Sequence, residues 1–173
     1  MLVIIRCFYL GSETMNWIIR EAASEDIEAI VQLRLKLLTE VGDVNEANKD
    51  DVYLANLHYF QKVVRSGALK VWLAETTDHD IIAISSLLLF ERPPHGENIS
   101  GFEGYIMNMY TKPEFRGKGV ARQLINECLV FCKQKQVGCV KLHASADGYY
   151  LYKSLGFKSK QNEMEFSFYH DLQ

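Results

Sequence analysis

One strand–helix–strand pattern in the second half of the chain limits the folds open to it. Residues 101–111 and 139–143 have strand patterns, and residues 119–136 between them carry apolar residues at helical spacing. A helix and a last strand are predicted at residues 147–155 and around residues 164–168. Because strands joined through a helix can pair in parallel, the pattern predicts an α/β domain with at least some parallel pairing.

The first half of the chain predicts three more strands and two more helices. The strands are predicted at residues 17–20, 69–73 and 81–90, and the last is central because it is almost continuously apolar. Ser24, followed by two acids, is the predicted N-cap of the first helix. The apolar faces of the two helices are predicted to comprise Ile27, Ile30, Val31, Leu35 and Leu38 in the first and Val52, Leu57, Phe60 and Val64 in the second, which ends near Gly67.

Composition excludes several broad classes of protein. A chain of 173 residues with 48% hydrophobic residues has the size and content of one ordinary folded domain. The net charge of −3 argues against a general nucleic-acid binder, which carries a strongly basic face. No apolar run approaches the ~18 residues of a membrane helix, so neither nucleic acid nor membrane is an expected partner.

The cysteines and the first residues bear on compartment and domain boundaries. The four cysteines are Cys7, Cys128, Cys132 and Cys139. They form no CxxC pair and have no zinc-type spacing, so no metal site is predicted. Cys128 and Cys132 are interpreted as small buried residues, with redox sensing or metal binding as the alternative. Residues 1–14 are predicted to be an appendage to a domain at residues 15–173, either an extra strand or a start-site artefact preceding Met15. Reduced thiols and a poor export signal predict a cytoplasmic protein.

The stretch most informative about chemistry joins the strand at residues 101–111 to the following helix. Arg116-Gly117-Lys118-Gly119 forms a glycine-containing loop directly before that helix. Glycines let backbone N–H groups converge on an anion, and the helix N-terminus adds partial positive charge. Lys112, Arg116, Lys118 and Arg122 surround the loop, so it predicts a site for a phosphate-bearing ligand. A tight turn with solvated bases is the alternative.

Two other phosphate-binding loops do not fit these residues. A nucleotide P-loop requires Gly-Lys-Ser/Thr, whereas Gly119 is followed by Val120-Ala121. A dinucleotide-binding loop requires a third glycine where Arg122 stands and an acid about 20 residues later, and that acid is missing near Cys139.

The segment Arg116–Ala121 resembles the Arg/Gln-x-x-Gly-x-Gly/Ala signature of the GCN5-related N-acetyltransferase (GNAT) superfamily. Residues 151–157, Leu-Tyr-Lys-Ser-Leu-Gly-Phe, are similar to its Leu-Tyr-x-x-x-Gly-Phe segment, and residues 18–27 are similar to its opening strand and helix. The resemblance implies an N-acetyltransferase domain at residues 15–173. Its fold would be a central mixed, mostly antiparallel twisted sheet of six to seven strands with about four helices, splayed at an acetyl-CoA site.

The resemblance implies acetyl-CoA as co-substrate. Its pyrophosphate would lie on the backbone amides of the loop, its pantetheine arm would pair with the end of the fourth strand, and an amide near Met109 would polarise the thioester carbonyl. Ser145 stands where the family often has Asn, and Gly148 where it has Ala. The expected cofactor-binding residues are Met109, Tyr110, Thr111, Arg116, Gly117, Lys118, Gly119, Val120, Ala121 and Ser145.

The resemblance also implies catalytic roles. Tyr152 falls on the family's usual general acid, and its alternative role is aromatic packing. Glu103, the only acid on the fourth strand, is the expected general base; as an alternative it is simply solvated. His143 is a lesser candidate base, with core packing as its alternative. The remaining histidines, His58, His79, His95 and His170, are predicted to lie on the surface or in loops.

The resemblance therefore implies direct acetyl transfer from acetyl-CoA to a primary amine in a ternary complex. The alternative is a non-catalytic acyl-CoA-binding sensor or interaction module on the same fold. A small-molecule amine is the expected acceptor, with a protein amine as a second choice and a homodimer as an allowed assembly. The acidic segment from Thr39 to Asp51 would either attract a cationic amine or serve helix capping and solubility.

Overall fold

The computed structural model describes residues 16–160 and Met164. The strands are β1 (Trp17–Glu21), β2 (Leu69–Thr76), β3 (Ile81–Glu91), β4 (Phe102–Thr111) and β5 (Cys139–Leu142). The helices are α1 (Ile27–Glu40), α2 (Lys49–Ser66), α3 (Val120–Gln134) and α4 (Tyr149–Ser154), with 3-10 turns at Ser24–Asp26 and Pro113–Phe115. The chain divides into two compact units, Met1–His143 and Ala144–Gln173. All five strands and α1–α3 belong to the first unit, and α4 belongs to the second.

The sheet has the order β1-β2-β3-β4-β5. The first four strands pair antiparallel, and β5 pairs parallel to β4 after the crossover through α3. This confirms a mixed, mostly antiparallel α/β fold. The described part of the chain contains five strands, fewer than the six to seven expected. The strand predicted around residues 164–168 and the appendage at residues 1–14 lie outside the described residues.

Helices cover both faces of the sheet. Ser85 and Ser86 are neighbours on β3, so their side chains point to opposite faces. Ser85 Oγ lies 3.3 Å from Cys128 Sγ of α3, whereas Ser86 Oγ accepts a hydrogen bond from the Asn108 side chain on the α1 face. The core between α1, α2 and the sheet is built around Phe60, Ile30, Val31, Leu73 and Ile84, which are fully buried.

The predicted apolar faces agree with this packing. Ile27, Ile30, Val31 and Leu35 of α1 are buried and Leu38 is half-buried. On α2, Phe60 is fully buried, whereas Val52, Leu57 and Val64 are half-buried. The helix ends at Gly67, whose φ of 71° is the left-handed conformation typical of a C-cap glycine.

Cys128 and Cys132 lie buried on α3, as the interpretation of small core residues requires. Burial raises the pKa of the Cys128 thiol to about 12 and that of Cys132 to about 11. Both groups therefore stay protonated thiols near neutral pH and are poor nucleophiles. No helix in residues 16–160 combines the length and the apolar character needed to cross a membrane.

The start of α1 differs from the prediction of Ser24 as N-cap. Ser24 begins a 3-10 turn, and the carboxylate of Asp26 accepts a hydrogen bond of 2.7 Å from the Ala23 N–H. The same carboxylate accepts two bonds, of 2.7 and 2.8 Å, from the Arg20 guanidinium of β1. Arg20 also pairs with Glu75 of β2. A carboxylate can accept from the backbone and from arginine together, whereas a serine hydroxyl could not also neutralise the cation.

These ion pairs predict a specific loss of stability in acid. The hydrogen bonds from Arg20 lower the pKa values of both Asp26 and Glu75 below their ordinary range. Carboxyls with lowered pKa values stabilise the fold above the ordinary pKa near 4 and lose that contribution as pH falls below it. We expect Asp26→Asn to lower the stability at pH 7 by about 2 kcal/mol and to flatten the decrease in Tm between pH 5 and pH 3. Thermal melts across that range check this.

The exposed neighbour Glu25 supplies the matched control. Glu25→Gln should leave both the Tm at pH 7 and its slope with pH nearly unchanged. Equal slopes for Asp26→Asn and the unmodified chain would contradict the assigned role of the Arg20–Asp26 pair.

Candidate functional site

A β-bulge interrupts the ladder between β3 and β4. Met107 pairs with Ser86 and Tyr110 pairs with Ile84, so two residues of β4, Asn108 and Met109, lie opposite the single residue Ser85. Asn108 has a φ of 53°, the left-handed conformation that asparagine tolerates better than most residues. Bulges occur often next to active sites because they re-aim side chains and backbone groups.

The outer edge of β4 is open beyond the bulge. Pairing between β4 and β5 extends only from Glu103 opposite Cys139 to Ile106 opposite Leu142. From Met107 to Thr111, β4 pairs with β3 on one side and has no strand partner among the described residues on the other. Such an edge offers backbone N–H and C=O groups to an extended ligand. The sheet therefore has the splay that the sequence predicted.

The glycine loop lies directly after this open edge. The 3-10 turn Pro113–Phe115 follows β4, and α3 begins at Val120 after exposed loop residues. Gly117 and Gly119 have φ values of 73° and 87°, and nothing lies within 4 Å of a Cβ placed on either. Glycine is therefore required at both positions by the backbone conformation, whereas the surrounding space would admit a side chain. The first turn of α3 contains no acid, unlike those of α1 and α2, so no side-chain charge there opposes an incoming anion.

Two of the four predicted bases around the loop are engaged by carboxylates. Lys112 Nζ lies 2.7 and 2.9 Å from the two oxygens of Asp80. Arg116 Nη2 donates to Glu40 Oε2 at 2.6 Å, and its Nε donates to the Thr111 carbonyl at 2.9 Å. These pairs satisfy part of the positive charge that the sequence places around the loop. The backbone N–H groups of the loop and of the first turn of α3 are the donors it presents to an anion.

Glu40 connects the last turn of α1 to the glycine loop. Besides pairing with Arg116, its carboxylate accepts a 2.9 Å hydrogen bond from the Tyr110 hydroxyl, and the Arg116 guanidinium lies 5.6 Å from the Tyr110 ring centre. The hydrogen bond from Arg116 lowers the pKa of Glu40, and its counterpart raises that of Arg116. Of the predicted acidic segment, Asp50 and Asp51 lie in the first turn of α2, which favours the helix-capping alternative.

Sequence reasoning missed Arg34 of α1. Its Nε donates to Asn56 Oδ1 of α2 at 2.7 Å, and its Nη1 donates to Asn108 Oδ1 at the bulge. Asn108 Nδ2 in turn donates to Ser86 Oγ at 3.2 Å. Burial lowers the pKa of Arg34. The sequence signal that could have revealed Arg34 was its position seven residues after Ile27, which places a charge within the apolar stripe of the helix.

Glu103 lies at the opposite end of β4 from the loop and is only 1% exposed, so the solvated alternative is wrong. Lys141 Nζ lies 2.7 Å from its carboxylate, with Arg92 Nη1 at 3.7 Å and His95 Nε2 at 3.9 Å. The hydrogen bond from Lys141 lowers the pKa of Glu103. Glu103 and Met109 are six positions apart along the strand, or about 20 Å. The geometry gives Glu103 a structural role, and its action as a base stays a prediction.

The histidines lie mostly where they were predicted. His58, His79 and His95 are exposed, and His170 lies outside the described residues. His143 is exposed directly after β5, which argues against its alternative role in core packing. The β4–β5 register ends with Leu142 opposite Ile106, so the next residue, His143, follows at the level of Met107.

The second unit holds the predicted acid. Tyr152 of α4 is buried and makes an edge-to-face contact with Phe157, with ring centres 5.8 Å apart. A Cβ on Gly148 would lie 2.8 Å from Tyr152 Cε2 and 3.2 Å from Ser145 Oγ, so close packing requires glycine there. Ser145 Oγ accepts a 3.2 Å hydrogen bond from the Gly148 N–H and so stabilises the turn that precedes α4. The cofactor contact of Ser145 stays a prediction.

Comparison with known proteins identifies the family. A family model described as an acetyltransferase (GNAT) domain matches residues 67–159, just over half of the chain. Those residues contain both the glycine loop and Tyr152. The search of curated proteins found no significant match.

Solved structures with the same architecture cover most of the chain. A predicted acetyltransferase from Clostridium acetobutylicum, solved with acetyl-CoA, is 29% identical with a TM-score of 0.80, over 87% of this chain and 96% of that one. A GCN5-related N-acetyltransferase from Ralstonia eutropha JMP134 is 21% identical with a TM-score of 0.78, over 87% and 98%. Glucosamine-6-phosphate N-acetyltransferase from Arabidopsis thaliana is 18% identical with a TM-score of 0.67, over 88% and 98%. The last two likenesses concern the fold.

Proposed function

The chain belongs to the GNAT family of acetyltransferases, and we propose that it transfers an acetyl group from acetyl-CoA to a primary amine of a small molecule. One observation carries the proposal: the open edge of β4, from Met107 to Thr111, runs directly into the glycine loop before α3. A ligand with an extended amide-bearing arm and a pyrophosphate needs these two features side by side. Acetyl-CoA has both groups, and a structural relative was solved with it.

The proposed contacts follow from the donors and acceptors that this region presents. Backbone groups of Met109–Thr111 would pair with the two amides of the pantetheine arm, which would otherwise lose hydrogen bonds on binding. The N–H groups of Arg116–Ala121 would hold the pyrophosphate at the start of α3. Arg116 itself, engaged by Glu40 and the Thr111 carbonyl, would hold the loop in shape.

The proposed reaction is a direct attack of the amine on the thioester. The Met109 N–H would donate to the carbonyl oxygen as negative charge develops there. The amine nitrogen forms a bond to the carbonyl carbon, the carbon–sulfur bond breaks, and the leaving thiolate takes a proton from the Tyr152 hydroxyl. Cys128 and Cys132 are buried thiols with raised pKa values, which supports direct transfer over an acyl-cysteine intermediate.

The proposed base is His143 in preference to Glu103. An alkylamine is mostly protonated near neutral pH and must lose a proton before it attacks. His143 follows β5 at the level of the open edge and is exposed, whereas Glu103 lies about 20 Å along β4 and is paired with Lys141. An imidazole is also the side chain whose ordinary pKa best suits proton transfer near neutral pH.

Ligand binding is the first test of this function. At 100 times its dissociation constant, acetyl-CoA adds about 2.7 kcal/mol, which raises the Tm of a domain this size by roughly 5–10 °C. Glu40→Gln, which removes the anchor of Arg116, should shrink that rise, whereas Glu46→Gln on the exposed neighbouring segment should not. Thermal melts with and without acetyl-CoA measure this, and no rise at millimolar acetyl-CoA would contradict the cofactor loop.

Tyr152→Phe separates an enzyme from a sensor that only binds acyl-CoA. We expect kcat for thiol release to fall about 100-fold, because the leaving thiolate loses its proton donor, while the acetyl-CoA-induced Tm rise is kept. The Phe157 contact should keep the ring in place. Acetyl-CoA binding without thiol release for any amine in a broad screen would refute the transferase function.

The two predicted bases are distinguished by different readouts. His143→Gln should lower kcat/KM at least about tenfold while the acetyl-CoA-induced Tm rise is kept, because the amine loses its base and the coenzyme contacts are unchanged. Glu103→Gln should mainly lower the Tm, because it removes the partner of Lys141. A kcat/KM that is retained in His143→Gln and lost in Glu103→Gln would reverse the assignment.

A further inference from the structure

The guanidinium of Arg34 makes no direct contact with a carboxylate among the described residues. The other two arginines in networks next to α1 are paired: Arg20 with Asp26 and Glu75, and Arg116 with Glu40. Within residues 16–160, Arg34 makes no ion pair, and its two hydrogen-bond partners are neutral amides. Asp43 attracts this cation from beyond ion-pair distance, so the guanidinium remains able to bind an anion directly.

Part of this guanidinium is unoccupied and reachable. An arginine has five N–H groups, and those that donate to Asn56 and Asn108 belong to Nε and Nη1. Nη2 has no hydrogen-bond partner among the described residues. Every buried side-chain nitrogen or oxygen among the described residues has a hydrogen-bond partner. Since Nη2 has none, it must be accessible to solvent. A ligand can therefore accept hydrogen bonds from it.

The position of Arg34 is fixed relative to the reacting end of the site. Asn56 of α2 and Asn108 of β4 hold its guanidinium from two elements, and Asn108 is itself held by Ser86 of β3. The residue after Asn108 is Met109, whose N–H is the proposed donor to the thioester carbonyl. One strand residue spans only about 3.3 Å, so the bulge places a cation beside the reacting end of the strand.

We propose that Arg34 binds an oxyanion of the acceptor, so that the substrate is an amine that also carries a carboxylate or a phosphate. This inference rests on the proposed function, because it concerns the acceptor of the same site. A planar guanidinium is well suited to both anions, since it can donate in parallel to two oxygens. The neutral asparagines position the group without competing with the substrate for its charge.

Matched pairs of acceptors test the inference on the unmodified protein. At saturating acetyl-CoA, thiol release is measured for ω-amino acids against their amides, and for aminoalkyl phosphates against the corresponding amino alcohols, over a range of chain lengths. In the longer chains the anion lies away from the amine, so the two members of such a pair differ little in amine basicity. We expect the anionic member to have a kcat/KM at least about tenfold higher in one of the two series, which also shows whether carboxylate or phosphate is preferred.

Two variants assign that preference to Arg34. Arg34→Gln should bring the ratio of kcat/KM for anionic over neutral acceptor towards one. Asn56→Asp keeps the shape of the pair but supplies a carboxylate to Nε, so it should also collapse the ratio, even if Arg34→Gln does not fold. Lys36→Gln, on the exposed side of the same helix, is the control that should keep the ratio.

The outcomes separate this inference from the proposed function. Equal turnover of charged and neutral acceptors by the unmodified protein would overturn the inference and leave the acetyltransferase function intact, with Arg34 only joining α1, α2 and β4. A ratio that survives in both Arg34→Gln and Asn56→Asp would also overturn it. Absence of thiol release with every amine would overturn the proposed function and the inference together.

Discussion

The parallel pairing of β4 with a shorter strand is the constraint on which the site depends. A parallel neighbour can be reached only by a crossover, so the chain must leave the end of β4, form a helix and return. Because β5 pairs only as far as Ile106, the chain leaves β4 beside an edge whose backbone N–H and C=O groups are not paired with another described strand. The glycine loop and the N-terminus of α3 are therefore next to an open strand edge as a direct result of topology.

Helix α1 contacts both the bulge in β4 and the glycine loop. Arg34 and Glu40 lie six residues apart on α1, or about 9 Å along its axis. Arg34 reaches the bulge at Asn108, and Glu40 reaches Tyr110 and Arg116 of the following strand end and loop. The distance between the bulge and the loop is thus set by the rise of a helix that is itself fixed by its buried apolar stripe.

Local patterns were enough to predict most of the fold and the loop. The period of apolar residues and the glycines at positive φ act over a few residues, so the strand, the loop at Gly117 and Gly119, and α3 could be recognised from sequence. Contacts between residues that are far apart in the sequence could not be predicted in this way. Nothing near Glu103 in sequence reveals that Lys141 neutralises it, and Glu40 is separated from Arg116 by 76 positions. Arg34 was overlooked because helical periodicity identifies apolar positions and gives no partner for a charge found among them.

The open edge of β4 has a consequence for the protein when no ligand lies along it. An unpaired edge is a template on which a strand of another chain can add, and natural proteins usually cover, shorten or charge such edges. The stretch Met107–Thr111 contains no charged side chain. An extended ligand lying along it would close the hydrogen-bonding ladder and block edge-to-edge association. Occupancy of this edge would then act as a safeguard against aggregation, and the protein without a ligand there would be more open to edge-to-edge association.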